Sequence, residues 1–103
     1  MNNGIVTEIV KFELTRDIND DEMTGIVDRL ENYFHKKLKG YIDSELTKAK
    51  DGWAMVMHWE SMELFKEASK AMFESSDTEE FRNILDPKSV EMQVNMFVKK
   101  WEK

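Results

Sequence analysis

The sequence predicts an α+β sandwich: four antiparallel strands with helices packed on one face. Two observations predict it. Period-two and helical patterns alternate along the chain in the order β-α-β-β-α-β, and the stretch Trp53 to Trp59 is apolar on both of its alternate rows. Trp53, Met55, Met57 and Trp59 form one row of that stretch, Ala54 and Val56 the other. A strand with one face in water alternates apolar with polar residues, so this one is expected to be covered on both sides.

Taken in order, residues 5–14 alternate as a strand, with Val6, Val10, Phe12 and Leu14 on one row and Ile5, Thr7 and Ile9 on the other. Asn19 is placed to cap a helix, with Glu22 three residues on and Ile18 set to pack against Met23. The apolar stripe Met23, Ile26, Val27, Leu30, Tyr33, Phe34 and Leu38 extends that helix to about Lys39. Asp20, Asp21 and Glu22 at its start and Lys36, Lys37 and Lys39 at its end match the helix dipole, and Gly40 supplies the stop.

Residues 41–48 mix Tyr41, Ile42 and Leu46 with charged neighbours, as an edge strand does. Lys50-Asp51-Gly52 turns the chain into the apolar strand, and Ser61 then caps a second helix whose Leu64, Phe65, Ala68, Ala71 and Met72 face inward. Ser75-Ser76-Asp77 interrupts it, and Asp77 with Glu80 is expected to cap a short helix over 78–85. Asp86-Pro87 closes that helix, because proline disfavours a helical residue before it. Residues 89–98 form the last strand, with Val90, Met92, Val94, Met96 and Val98 alternating against Glu91, Gln93, Asn95, Phe97 and Lys99. This order is the ferredoxin-like sandwich, in which the first and third strands are central. With helices on one sheet face, the second apolar row points to a homodimer formed through the other face.

Composition bounds the function. A chain of 103 residues reads as a single domain spanning 1–103, with 41% hydrophobic and 35% charged residues, as in a soluble globule. No apolar run approaches the ~20 residues of a membrane helix. Met1 to Leu14 has no basic segment or cleavable signal pattern, and the chain has no cysteine, so a cytoplasmic location is expected. The net charge of −6 and the scatter of the 15 basic residues argue against nucleic acid as a partner. There is no phosphate-binding glycine loop and no histidine spacing suited to a metal.

Leu38-Lys39-Gly40-Tyr41, and above all Trp59-Glu60-Ser61 followed by Glu63-Leu64-Phe65, resemble the dimeric α+β barrel superfamily, in particular its antibiotic-biosynthesis-monooxygenase (ABM) group. The match in element order covers about residues 4–98. The resemblance implies a dimeric α+β barrel, with either a closed barrel or a flat sheet contact as the geometry of the dimer. For the enzymes of the group it implies oxidation of small apolar or aromatic molecules without metal or flavin, so no cofactor is expected. The haem-degrading branch is similar in fold but uses an Asn on the first strand and a Trp and a His on the second helix. Here the first strand reads Val10-Lys11-Phe12, and Met62 to Phe73 contains neither Trp nor His, which disfavours haem chemistry.

Individual residues leave the activity open. His58 is either a proton shuttle or a hydrogen-bonded sheet histidine. His35, beside Lys36 and Lys37, is expected to face solvent. Glu8 shares the row of Val6, Val10 and Phe12. If that row faces the helices, Glu8 is a candidate general base with a raised pKa; otherwise it sits near the strand end or pairs with a lysine. Gln93 and Asn95 either hydrogen-bond across a dimer interface or face water at its rim. Tyr33, Phe34, Trp53, Trp59, Phe65, Met72 and Phe73 would line a pliable ligand cavity, or simply pack the core. Two functions remain: an ABM-like oxygenase, and a non-catalytic dimer that binds a hydrophobic metabolite or plays a structural part.

Overall fold

The computed structural model describes residues 4–103, so the first three residues of the segment read as lacking a signal pattern lie outside it. Strands β1 (Val6–Phe12), β2 (Tyr41–Ala49), β3 (Gly52–Trp59) and β4 (Glu91–Met96) form one antiparallel sheet in the order β2-β3-β1-β4. Helices α1 (Asp20–Tyr33), α2 (Met62–Glu74) and α3 (Glu79–Ile84) complete the α+β, ferredoxin-like arrangement. The two apolar strands are central, as expected from their double apolar rows.

The register assigns each row to a face. Val6, Val10 and Phe12 of β1 lie beside Trp59, Met55 and Trp53 of β3, and this row buries against the helices. Met23, Ile26, Val27 and Leu30 of α1 and Phe65 and Ala68 of α2 close over it. The other row, Thr7, Ile9, Ala54, Val56 and His58, lies half-buried on the outer face. Gln93 and Asn95 stand on that outer face opposite Ile9 and Thr7, with Gln93 Nε2 donating to Asn95 Oδ1 at 3.3 Å.

Local chemistry sets the boundaries. The Asn19 side chain accepts from Glu22 N–H at 2.8 Å and the Ser61 side chain from Leu64 N–H at 3.1 Å, so both caps form where the sequence places them. Two expectations are corrected. The first helix ends at Tyr33, not near Lys39. Phe34 leaves the helical region, and His35–Lys37 forms a 3₁₀ turn that swings His35 inward. The third helix is opened by Ser75 rather than Asp77. The Ser75 side chain accepts from Asp77 N–H, starting a 3₁₀ turn at Ser76–Thr78 that runs into α3.

A bulge in β2 has consequences for the site. Tyr41 pairs with Trp59 and Asp43 with His58, leaving Ile42 as the extra residue. Without it Tyr41 and Asp43 would share a face. With it Tyr41 points toward α1, while Asp43 stays on the outer face and bonds His58 Nδ1 at 2.7 Å.

Gly40 links the 3₁₀ turn to β2 at φ +90°, and a Cβ there would meet Leu64 side-chain carbons at 2.6–2.7 Å. Its carbonyl accepts from Glu60 N–H at 2.8 Å, which locks this turn to the end of β3. Gly40→Ala is therefore expected to lose about 1–3 kcal/mol of stability from backbone strain, with the Leu64 clash added. Urea unfolding of the two proteins measures it, and an unchanged midpoint would contradict this account.

Candidate functional site

Between the sheet and α2 and α3 lies a cavity of about 410 Å³, within the range of small-ligand sites. Val10, Met55 and Met57 make much of its floor, and Met72, Phe81 and Leu85 stand on the helical side. The space exists because α2 presents short side chains, Ala68 and Ser69, where larger ones would reach the sheet. It opens toward β4, whose Met92 lines the wall yet is 52% exposed. Main-chain bonds fix the α3 side. Thr15 N–H donates to the Ile84 carbonyl at 2.9 Å, and Asp86 N–H donates to the Glu13 carbonyl at 2.9 Å. These bonds tie the end of α3 to the segment just after β1.

One corner of this apolar space is polar. Glu8, only 6% exposed, accepts a hydrogen bond from Trp59 Nε1 at 2.9 Å. Burial pushes the Glu8 carboxyl above its ordinary value, against the opposing Trp59 hydrogen bond and the His35 charge. His35, 4% exposed, also lines the cavity. Its Nδ1 pairs with Glu31 one helical turn back. Its ring lies nearly parallel to Tyr41 at 6.1 Å and meets Trp59 edge-on at 6.0 Å. The Tyr41 hydroxyl donates to the second Glu31 oxygen at 3.2 Å and lies 2.9 Å from Ser44 Oγ. Burial pushes the Glu31 carboxyl up, but the hydrogen bond and charge of His35, with the Ser44 and Tyr41 hydroxyls, outweigh it and hold the carboxyl below its ordinary value. Arg82 completes the polar wall. Its Nε donates to Thr78 Oγ1 at 2.9 Å and its Nη2 to the Ser75 carbonyl at 3.4 Å.

The residues singled out from the sequence divide three ways. Glu8, Trp59, Met72 and Phe73 line the cavity, Phe73 at its edge with 74% exposure. Phe34 and Phe65 are buried in the core, away from the cavity lining. Tyr33 is 57% exposed on α1, and His58 sits on the outer sheet face with Asp43 and Phe97. His35, read as solvent-facing, is buried; its partner Glu31 was missed. The signal was available, since Glu31 and His35 are spaced i,i+4 and flank Leu30 and Phe34 of the apolar stripe. Among the described residues no cluster of three or more His, Cys, Asp or Glu is placed to hold a metal, and no helix is long and apolar enough to cross a membrane.

By sequence, the chain matches no protein-family profile and no curated protein. Among the solved structures that share its fold over essentially the whole chain are a cofactor-independent oxygenase and two proteins described as candidate antibiotic biosynthesis monooxygenases. SnoaB, a cofactor-independent oxygenase from Streptomyces nogalater, superposes with a TM-score of 0.73 at 13% identity, covering 97% of this chain and 99% of SnoaB. A Caulobacter crescentus protein described as a candidate antibiotic biosynthesis monooxygenase gives 0.70 at 10% identity, covering 95% of this chain and 93% of its own. Rv0793 from Mycobacterium tuberculosis gives 0.67 at 13%, covering 95% and 99%. At such identities the likeness is one of fold.

The two buried carboxyls carry opposite pH signatures. The raised Glu8 pKa means that ionisation opposes folding, a cost absent below 4.5 and complete above the folded value. The lowered Glu31 pKa contributes stability that is present above 4.5 and lost as pH falls through the folded value. Glu8→Gln is expected to raise stability at pH 7 and leave it unchanged near pH 4. Glu31→Gln should lower stability at pH 7, with the difference shrinking on acidification. Urea melts at both pH values read this, and a Glu8→Gln protein that is weaker at pH 7 would reverse the assignment.

Proposed function

We propose that the protein is an ABM-like monooxygenase that oxidises a small apolar or aromatic molecule bound between sheet and helices, with molecular oxygen as oxidant and no bound cofactor. The observation that carries this reading is the cavity itself: an apolar chamber whose polar groups are few, with Glu8, His35 and Arg82 among them held by fixed partners. SnoaB, with the same fold, is a cofactor-independent oxygenase, and that supports transferring the reaction class. Such chemistry needs a substrate able to react with oxygen itself. The protein's part is to exclude water, orient the molecule and manage its protons.

Oxygen consumption with an anthrone or an alkylated hydroquinone tests the reading. Turnover is expected from the unmodified protein. Ser69→Phe, which fills the chamber from α2, should abolish it while the circular dichroism spectrum is retained. A protein that binds these molecules without consuming oxygen would instead favour the second reading, a non-catalytic binder.

We further infer that the protein works as a homodimer through the outer face of the sheet. That face carries Ile9, Ala54 and Val56 at its centre, on the two strands that lie between others. Aligned burial of that row would answer the double apolar pattern of β3. Val56→Lys should convert a dimer into a monomer by analytical ultracentrifugation. A monomeric unmodified protein would refute the dimer while leaving the cavity reading in place.

A further inference from the structure

We propose that His35, oriented by Glu31, is the catalytic proton acceptor of the cavity, taking a proton from the bound substrate at Nε2. The inference rests on the reading of the cavity as an oxygenation site and assigns the residue that starts the reaction there.

Three observations support it. First, the pair is buried, and a buried carboxylate–imidazole pair is a poor way to stabilise a core, since apolar residues of similar volume do as well or better. Its location in the wall of an apolar chamber is where a proton acceptor would be useful. Second, the geometry selects the nitrogen. Glu31 engages Nδ1, so in the neutral imidazole the Nδ1–H is donated to the carboxylate and Nε2 carries the lone pair. His35 lines the cavity, and Nε2 is the ring nitrogen left to serve it. Third, the ring is held in place. Tyr41 stacks along it, Trp59 closes on it edge-on, and Phe34 lies 5.1 Å from it on the third side. Tyr41 also holds the second oxygen of Glu31, so the orienting carboxylate is itself oriented. This is the arrangement of a base fixed by a third group.

The step balances without a protein-bound redox group. A methylene flanked by aryl and carbonyl groups, or its phenolic tautomer, gives a proton to Nε2, and the electron pair stays on the substrate as an enolate or phenolate. The carbanionic carbon then adds molecular oxygen. One C–O bond forms, and the terminal oxygen takes the proton back from the imidazolium to give a hydroperoxide. Loss of water breaks the O–O bond and leaves a carbonyl. The sum is CH₂ plus O₂ giving C=O plus H₂O, with every electron supplied by the substrate. Glu31 balances the charge on His35 while the proton is held.

The titratable and charged groups around His35 are Glu31 from α1, Tyr41 from β2, Glu8 from β1 and, across the cavity, Arg82 from α3. A proton-transfer readout must therefore be isolated from turnover. The test is an anaerobic spectrophotometric titration of 4-nitro-1-naphthol, whose anion is coloured, bound to the full chain. In the unmodified protein the bound naphthol is expected to ionise at a pH lower than in water by about one unit or more. In His35→Gln it should still bind, but ionise at a pH no lower than it does free in solution. Glu31→Gln should lose most of the shift, and it serves as the decisive variant if His35→Gln fails to fold by circular dichroism. A shift that persists in both variants overturns the role of the pair and leaves the cavity reading standing. A naphthol that does not bind the unmodified protein overturns the cavity reading and the proposal with it.

Discussion

The hydrogen bond from Trp59 to Glu8 is the interaction on which the rest of the interior depends. It joins the two central strands from the helix side, at the point where the sheet must accept a carboxyl into an apolar layer. Trp59 is almost completely buried, and its ring also forms an edge for both His35 and Tyr41. One indole therefore satisfies a buried acceptor with its N–H and packs two other polar rings with its carbon frame. Without that donor, Glu8 would be a buried polar group without its partner, and the corner would carry a desolvation penalty with nothing to offset it.

The polar corner is assembled from four separate stretches of chain, and irregularities in the backbone bring two of them into place. The 3₁₀ turn after α1 rotates His35 off the helix surface, and the β2 bulge turns Tyr41 inward. Bulges and tightened helix ends are the devices by which regular elements re-aim single side chains. The outer face shows the complementary result. There Asp43 and His58 pair with each other, which makes His58 a sheet histidine with a satisfied nitrogen, on the opposite side of the sheet from the cavity.

This division explains what was legible in the sequence. Element order, both caps and the membership of each apolar row follow from periodicity and capping chemistry, which act over a few residues; the α+β sandwich follows from that order, and the resemblance to ABM proteins rests on the junction from Trp59 to Phe65. Glu8 was legible as a conditional, because its row was known but not which face the row would meet. His35 and Glu31 were legible as an i,i+4 pair beside the apolar stripe, but their burial was not. A helical projection continued through Phe34 puts His35 at the edge of the apolar stripe, and only the change of backbone geometry at that residue takes it inside. The cavity was also beyond a residue-by-residue reading. Phe34, Phe65 and Trp59 are equally apolar in composition, yet only Trp59 faces the void, because the void depends on where short side chains interrupt α2.

That last feature bears on how such a protein can change over time. The capacity of the chamber is limited by Ala68 and Ser69, neighbours on one helix, whereas the polar corner is set by β1, β3, α1 and the start of β2. Drift at the two helix positions can change which molecules fit without disturbing the buried polar groups, and the converse also holds. A scaffold divided in this way can change the shape of its chamber while its frame stays recognisable.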